Sequence, residues 1–313
     1  MVRRRKSPRN APLNRSDTWQ LYTLLIPAAA LILVFSYIPL YGIVIAFQDY
    51  QPGNSFLSLA NVKWVGLKHF QNYIGSKFFT RTLVNTIRLS LMNLVFGFTM
   101  PILFALLLNE VRSLRYKKFV QTVSYLPYFI SMVVVAGMVL SFLEINGLIN
   151  NLLGLLGLTP KEYIVYPSTY PWIYTFTNVW KSFGFGSILY FSTISGIDPA
   201  LYESARIDGA NRWQQVVHIT LPALKPTIIT LTLMAIGRIF YSDFGLFYQV
   251  PMNSGPLLDV TNTIDTYVYR GLMSLNNISM ASAAGVYQSL IGFLLVLAAN
   301  FIVKKSSSEN ALF

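Results

Sequence analysis

Six stretches of this chain are apolar for longer than the core helix of a water-soluble domain requires. They run over residues 21–47, 83–109, 119–142, 172–195, 221–241 and 281–303. At a rise of ~1.5 Å per residue, each is long enough to cross a hydrocarbon layer about 30 Å thick. Backbone amides find no water there, so each run must satisfy its own hydrogen bonds as a helix. The expected fold is an all-α membrane protein with six transmembrane helices. Pro27, Pro39 and Pro127 lie inside runs and are expected to kink them.

Charge fixes the expected orientation. The net charge is +12. Fourteen Lys/Arg fall in the N-terminal tail, in 110–118, at Arg206 and Arg212, and at Lys304 and Lys305. Six fall on the opposite side: Lys63, Lys68, Lys77, Arg81, Lys161 and Arg270. The excess assigns the first side, with both termini, to the cytoplasm. Membrane orientation thus accounts for the basic charge, and no nucleic-acid partner is inferred. Residues 1–18 read as a disordered basic tail and 19–82 as the first helix with an outer loop. Residues 83–303 read as a five-helix core and 304–313 as a cytoplasmic tail. The outer segments are 48–82, 143–171 and 242–280. The first apolar run is too long for a signal peptide and lacks a small-residue cleavage site, so it reads as a retained anchor.

Several chemistries are disfavoured. The chain has no cysteine, hence no disulfide or thiol chemistry. His69 and His218 stand far apart, so no metal site is expected. There is no GxxxxGK[ST] phosphate loop, no GxSxG and no HExxH. None of the six runs contains Asp or Glu, which disfavours an ion-coupled carrier. No internal repeat is visible either. A membrane-embedded glycan or lipid transferase, the other alternative, would need an acid/base or metal cluster that the sequence lacks. The chain reads as a non-enzyme without its own cofactor.

Cations inside the runs are the exceptions that ask for a reason. Arg88 and Arg238 lie close to the outer ends and are candidates for the outer part of a substrate path, with snorkelling to headgroups as the alternative. Lys181 is roughly 13 Å deep at helical rise and needs water, a partner or a ligand. Asn178 lies on its face at i−3, and Trp180 is adjacent. Lys181, with Asn178 and Trp180, is therefore expected as a polar patch on a translocation path, where a cation would favour an anionic solute, with a structural hydrogen bond to a neighbouring helix as the alternative. Tyr241, Asp243, Tyr248 and Asn253 follow the fifth run. Aromatic faces with amides and carboxylates suit sugar rings, although an aromatic belt has the same composition.

Residues 198–226 form a polar island between two apolar runs. Asp198-Pro199 reads as a helix start, Asp208-Gly209 as a bend, and Asn211 with Gln214 as a capping box opening a second short helix. Pro222 and Pro226 mark entry into the next run. Glu203-Ser204-Ala205, Asp208-Gly209-Ala210 and Ile219-Thr220-Leu221-Pro222 closely resemble the EAA signature of ABC importer permeases. Ser204 stands where that family usually has Ala. The DGA wording with Trp213 is most similar to the carbohydrate-uptake, maltose-type branch, and the likeness runs from about Phe79 to Val303. YIPLYGIVIAFQDY and YSDFGLFYQVPMNSGP resemble permeases for complex oligosaccharides. The resemblance implies a type I importer permease fold. It also implies that Glu203, Ser204, Ala205, Asp208, Gly209, Ala210 and Pro222 belong to a cytoplasmic coupling helix docked on a separate ATPase dimer, where ATP and Mg bind. A second homologous permease, an extracytoplasmic solute-binding protein and an oligosaccharide substrate complete the implied system.

Overall fold

The computed structural model describes residues 15–51, 53, 62–242, 244–251 and 254–306. Most of the expected N-terminal tail, the end of the C-terminal tail, Asp243 and Asn253 lie outside the described residues. Apart from one antiparallel bridge between Gln48 and Trp64, the described regular elements are helical. Among them, five helical stretches are long and apolar enough to cross a membrane: Trp19–Phe47, Lys77–Asn109, Met132–Leu155, which is interrupted at 144–147, Arg212–Ile236 and Ile278–Lys305. The run at 172–195 is also helical, but Asn178, Lys181 and several hydroxyl side chains dilute its apolar character.

Helix α1 (Arg15–Ile32) starts inside the stretch expected as tail and continues through a π turn and a 3-10 segment to Phe47. Its side is exposed almost throughout, and only its last turns pack, against the C-terminal helix. Helix α2 (Lys68–Ile74) sits on the start of α3 (Lys77–Asn109), where Tyr73 Oη meets Thr82 Oγ1 at 3.0 Å. Burial pushes the Tyr73 phenol up to about 12. Ser76 caps α3 by accepting from Phe79 N.

The run at 119–142 is not one helix. It is divided into α4 (Leu114–Phe129) and α5 (Met132–Leu143). Pro127 cannot donate to the α4 ladder, and Ser131 restarts the helix by accepting from Val134 N. The chain then reverses tightly at Gly147, where a Cβ would lie 2.5 Å from Ser141 O, into α6 (Leu148–Leu155). Helix α7 (Tyr170–Ser195) lies along α3 over much of its length and also touches α4. Without a hydrophobic drive between helices in lipid, close approach depends on small residues. Gly184 supplies it: a side chain there would collide with the Ser124 carbonyl of α4.

After α8 (Pro199–Ile207), helix α9 (Arg212–Gln215) is not a separate short helix as expected. It runs through a π turn at Val216–Thr220 directly into α10 (Leu221–Ile236). The widened π turn precedes Pro222, whose ring and missing N–H disturb a regular ladder, so the helix continues past it. Helix α10 ends at Ile236, short of the expected Tyr241. The segment expected as a long outer loop is folded into α11 (Phe244–Gln249), α12 (Leu258–Thr261) and α13 (Ile264–Met273), followed by α14 (Ile278–Ser306).

Two apolar clusters hold the α3–α7 pair. One, at the α13 end, joins Leu89, Tyr170, Tyr174, Leu246 and Phe247. The other, at the α8 end, joins Ala105, Tyr190, Ile194 and Leu224. Ser90, Asn93, Asn178 and Ser182 fall between them.

Candidate functional site

A cavity of about 740 Å³ opens between the two clusters. Helix α3 lines it with Ser90, Asn93 and Gly97, and α7 with Tyr174, Asn178 and Ser182. Spacings of i, i+3, i+7 and i, i+4, i+8 bring each trio onto one helix face. Asn178 Nδ2 donates to Asn93 Oδ1 at 2.5 Å and joins the two walls. The third wall is the stretch after α10, which contributes Arg238, Tyr241 and Ser242.

That stretch is irregular for a packing reason. A Cβ on Gly237 would meet Val296 Cγ2 of α14 at 2.7 Å, so the backbone itself touches α14 there. Three-residue turns follow: Arg238 N donates to Ala235 O, Ile239 N to Ile236 O and Tyr241 N to Arg238 O, at 2.8–3.1 Å. Arg238 is exposed to the cavity, and among the described residues it has no ion-pair partner. No described lining residue is a carboxylate. The described lining therefore offers hydroxyls, amides, two phenols and one positive charge.

The second feature lies at the other end of α10. Asp198 accepts from Ala200 N at 2.9 Å and starts α8. At the far end of α8, Ala210 N donates to Ala205 O at 2.8 Å and Gly209 N to Arg206 O at 3.1 Å. This Schellman pairing requires a left-handed residue at its centre, and Gly209 has φ +82°. The capping box follows as expected: Gln214 N donates to Asn211 Oδ1 at 2.9 Å, and Asn211 N to Gln214 Oε1 at 2.7 Å. Tyr202 Oη meets Thr220 Oγ1 at 2.9 Å, and Arg212 pairs with Glu110 at the end of α3. The element is thus rigid and tied to a wall of the cavity. It also presents apolar side chains outward: Ile207 is 86% and Trp213 74% exposed.

The family model for the binding-protein-dependent transport system inner membrane component matches residues 97–307. The chain belongs to this family. The permease is 39% identical over 291 residues to the polygalacturonan/rhamnogalacturonan transport system permease protein YteP of Bacillus subtilis (strain 168), covering 93% of this chain and 89% of that one. It is 36% identical to Protein LplB of the same organism, covering 95% and 92% of the two chains. A chain in the crystal structure of a bacterial ABC transporter involved in the import of the acidic polysaccharide alginate superposes with a TM-score of 0.85 at 38% identity, covering 93% of the permease and 97% of that chain. The permease is a transport subunit, and the ATPase of such a transporter is a separate subunit. It is a multi-pass membrane protein.

Of the residues singled out from sequence, Asn178, Arg238 and Tyr241 line the cavity of the permease. Lys181 does not. Its Nζ donates to Tyr128 O at 2.8 Å and lies 5.2 Å from the Tyr128 ring centroid. Tyr128 in turn stacks on Phe185 with centroids 4.0 Å apart. Lys181 thus satisfies a carbonyl in the last turn of α4, where the helix dipole favours a cation. Trp180 and Arg88 are exposed away from the lining. Tyr248 packs with Phe244 and Tyr269, with centroids 5.2 and 4.7 Å away. Asp243 and Asn253 lie outside the described residues. Glu203, Ser204, Asp208 and Gly209 are exposed on the α8 element, with Ala205 and Ala210 half-buried and Pro222 exposed on α10. Sequence reasoning missed Ser90, Asn93, Gly97 and Ser182. Their signal was present, as small or polar residues at three- and four-residue spacing in otherwise apolar runs.

Proposed function

We propose that this chain is the permease half of an ATP-driven importer of acidic oligosaccharides. The observation that carries the reading is the cavity, with Arg238 exposed among hydroxyl and amide groups and no carboxylate in its described lining. Sugar hydroxyls need both donors and acceptors, which serine, asparagine and tyrosine supply. A uronate carboxylate adds a charge that Arg238 can hold bidentately, with more effect in a partly water-excluded path than in bulk water. Relatives named for polygalacturonan and for the acidic polysaccharide alginate support this choice. The proposed charged contact is Arg238, while Lys181 serves as a strut for the break between α4 and α5.

Energy enters through α8. An ATPase dimer, binding ATP and Mg, docks on the face carrying Ile207, Trp213, Glu203, Ser204, Asp208 and Gly209. Its closure moves α8, and the Arg212–Glu110 and Tyr202–Thr220 ties pass that motion to α3 and α10. A second permease closes the open side of the cavity. An extracytoplasmic binding protein delivers the sugar. Both termini and α8 face the cytoplasm of the bacterial cell membrane.

The test is uptake by the whole complex reconstituted in proteoliposomes with its binding protein. ATP-dependent uptake of an oligouronate, with little uptake of a neutral oligosaccharide of equal length, is the expected result. Preference for the neutral sugar contradicts the reading of the substrate. For orientation, Ser204→Cys should react with an impermeant maleimide only in inside-out vesicles. Labelling of intact cells would overturn the topology.

A further inference from the structure

The third wall of the cavity is its one irregular part, and it is fastened from outside the cavity. Ser242 N and Ser242 Oγ both donate to Asp265 Oδ2, at 2.7 and 2.6 Å. Gln288 Nε2 donates to Asp265 Oδ1 at 2.9 Å and to Phe240 O at 2.5 Å. Asp265 thus accepts three bonds and, with Gln288, fixes residues 240 and 242 on either side of Tyr241. Hydrogen bonds to an ionised carboxylate are roughly twice as strong as neutral ones. Asp265 sits in the first turn of α13, a ten-residue helix whose N-terminus favours a negative charge. Thr263 and Thr266 form a capping box there, which holds the carboxylate in place.

Asp265 is not a lining residue of the cavity, and it makes no ion pair with Arg238. Its oxygens are already engaged by Ser242 and Gln288. Two opposite charges therefore serve one turn without neutralising each other: the acid holds the backbone, and the base stays open to the cavity.

We propose that Asp265 is a positioning residue that locks the 237–242 turn and so sets where Arg238 and Tyr241 meet the sugar. The proposal deepens the acidic-oligosaccharide reading and rests on it for the ligand, but the lock itself is independent of any substrate. Asp265→Ala removes all three bonds. Asp265→Asn keeps an acceptor for Ser242 but turns an amide donor toward the Gln288 donor, so it breaks half of the lock.

The experiment uses the assembled complex in proteoliposomes. Asp265→Ala should raise the half-saturating concentration of an oligouronate by about tenfold and Asp265→Asn by about threefold, in line with losing charge-assisted bonds. In an Arg238→Gln background the same substitutions should change it less than about twofold, because residues acting through one another are not additive. An undiminished effect in that background would overturn the proposal, since Asp265 would then act without Arg238. A second measurement needs no substrate and tolerates poor assembly of the alanine variant. In a chain carrying Arg238→Cys, Asp265→Asn should speed reaction with a charged thiosulfonate by about fivefold, as the turn loosens. An unchanged rate means no lock exists. If the wild type fails to prefer the acidic sugar while Asp265→Asn still speeds labelling, the substrate reading falls and the lock stands.

Discussion

The continuous helix Arg212–Ile236 carries an irregular stretch at each end, and the two are built in opposite ways. The α8 side, at 208–211, is held by its own neighbours: a Schellman pairing around Gly209 and a capping box between Asn211 and Gln214. The cavity side, at 237–242, is held by residues far away in sequence, namely Asp265, Gln288 and the Val296 contact at Gly237. In the importer proposed above, the first would present a fixed shape to the ATPase. The second takes its geometry from how α13 and α14 sit against α10. Local closure suits a docking element, and tertiary closure suits a wall that must respond when the permease changes state.

The largest effect should come from the docking face. Ile207→Asp combined with Trp213→Glu places charge where apolar surface meets the ATPase, and the buried core of an interface tolerates this poorly. Uptake should fall by about 100-fold or more and the ATPase should no longer copurify, because hot-spot losses reach several kcal/mol. Retained copurification would remove Ile207 and Trp213 from the interface.

An intermediate effect is expected at the break between α4 and α5. Lys181→Met leaves the Tyr128 carbonyl without its cation, and a hydrogen bond of this kind contributes about 0.5–1.5 kcal/mol. Uptake of acidic and neutral sugars should fall by the same factor, measured as initial rates side by side. A loss confined to the acidic sugar would return Lys181 to the translocation path.

The smallest effect belongs to the local turn. Asn211→Ala removes one cap and should lower stability by about 1 kcal/mol, since caps contribute on that scale. Thermal unfolding of the purified complex should shift slightly, with uptake near that of the wild type. A collapse of uptake would mean that the α8 bend is not held locally.

The same contrast explains what could be read from sequence. Asp198, Gly209 and the Asn211–Gln214 pair announced their structure because caps act over three or four residues. The division of 119–142 was hidden: Pro127 signalled only a kink, and Ser131 looked like one more polar residue in an apolar run. Residues 242–280 read as a loop because α11 is only six residues long. Its Leu246 and Phe247 are buried against α5 and α7 rather than by a periodic face of their own. From sequence, Lys181 is the deep cation that needs a partner and Arg238 the one near an outer end. Their neighbours separate them, and those neighbours lie on other helices.

The central claim is that the cavity selects an acidic sugar through Arg238. The most direct test is the ratio of acidic to neutral oligosaccharide uptake by the reconstituted complex carrying Arg238→Gln. Glutamine keeps hydrogen-bonding capacity and removes the charge. The ratio should fall by about tenfold or more, since a charge-assisted pair contributes about 1.5–3 kcal/mol. Neutral uptake should stay within about twofold of the wild type, as expected of a change confined to the charge. A ratio equal to that of the wild type would contradict the account.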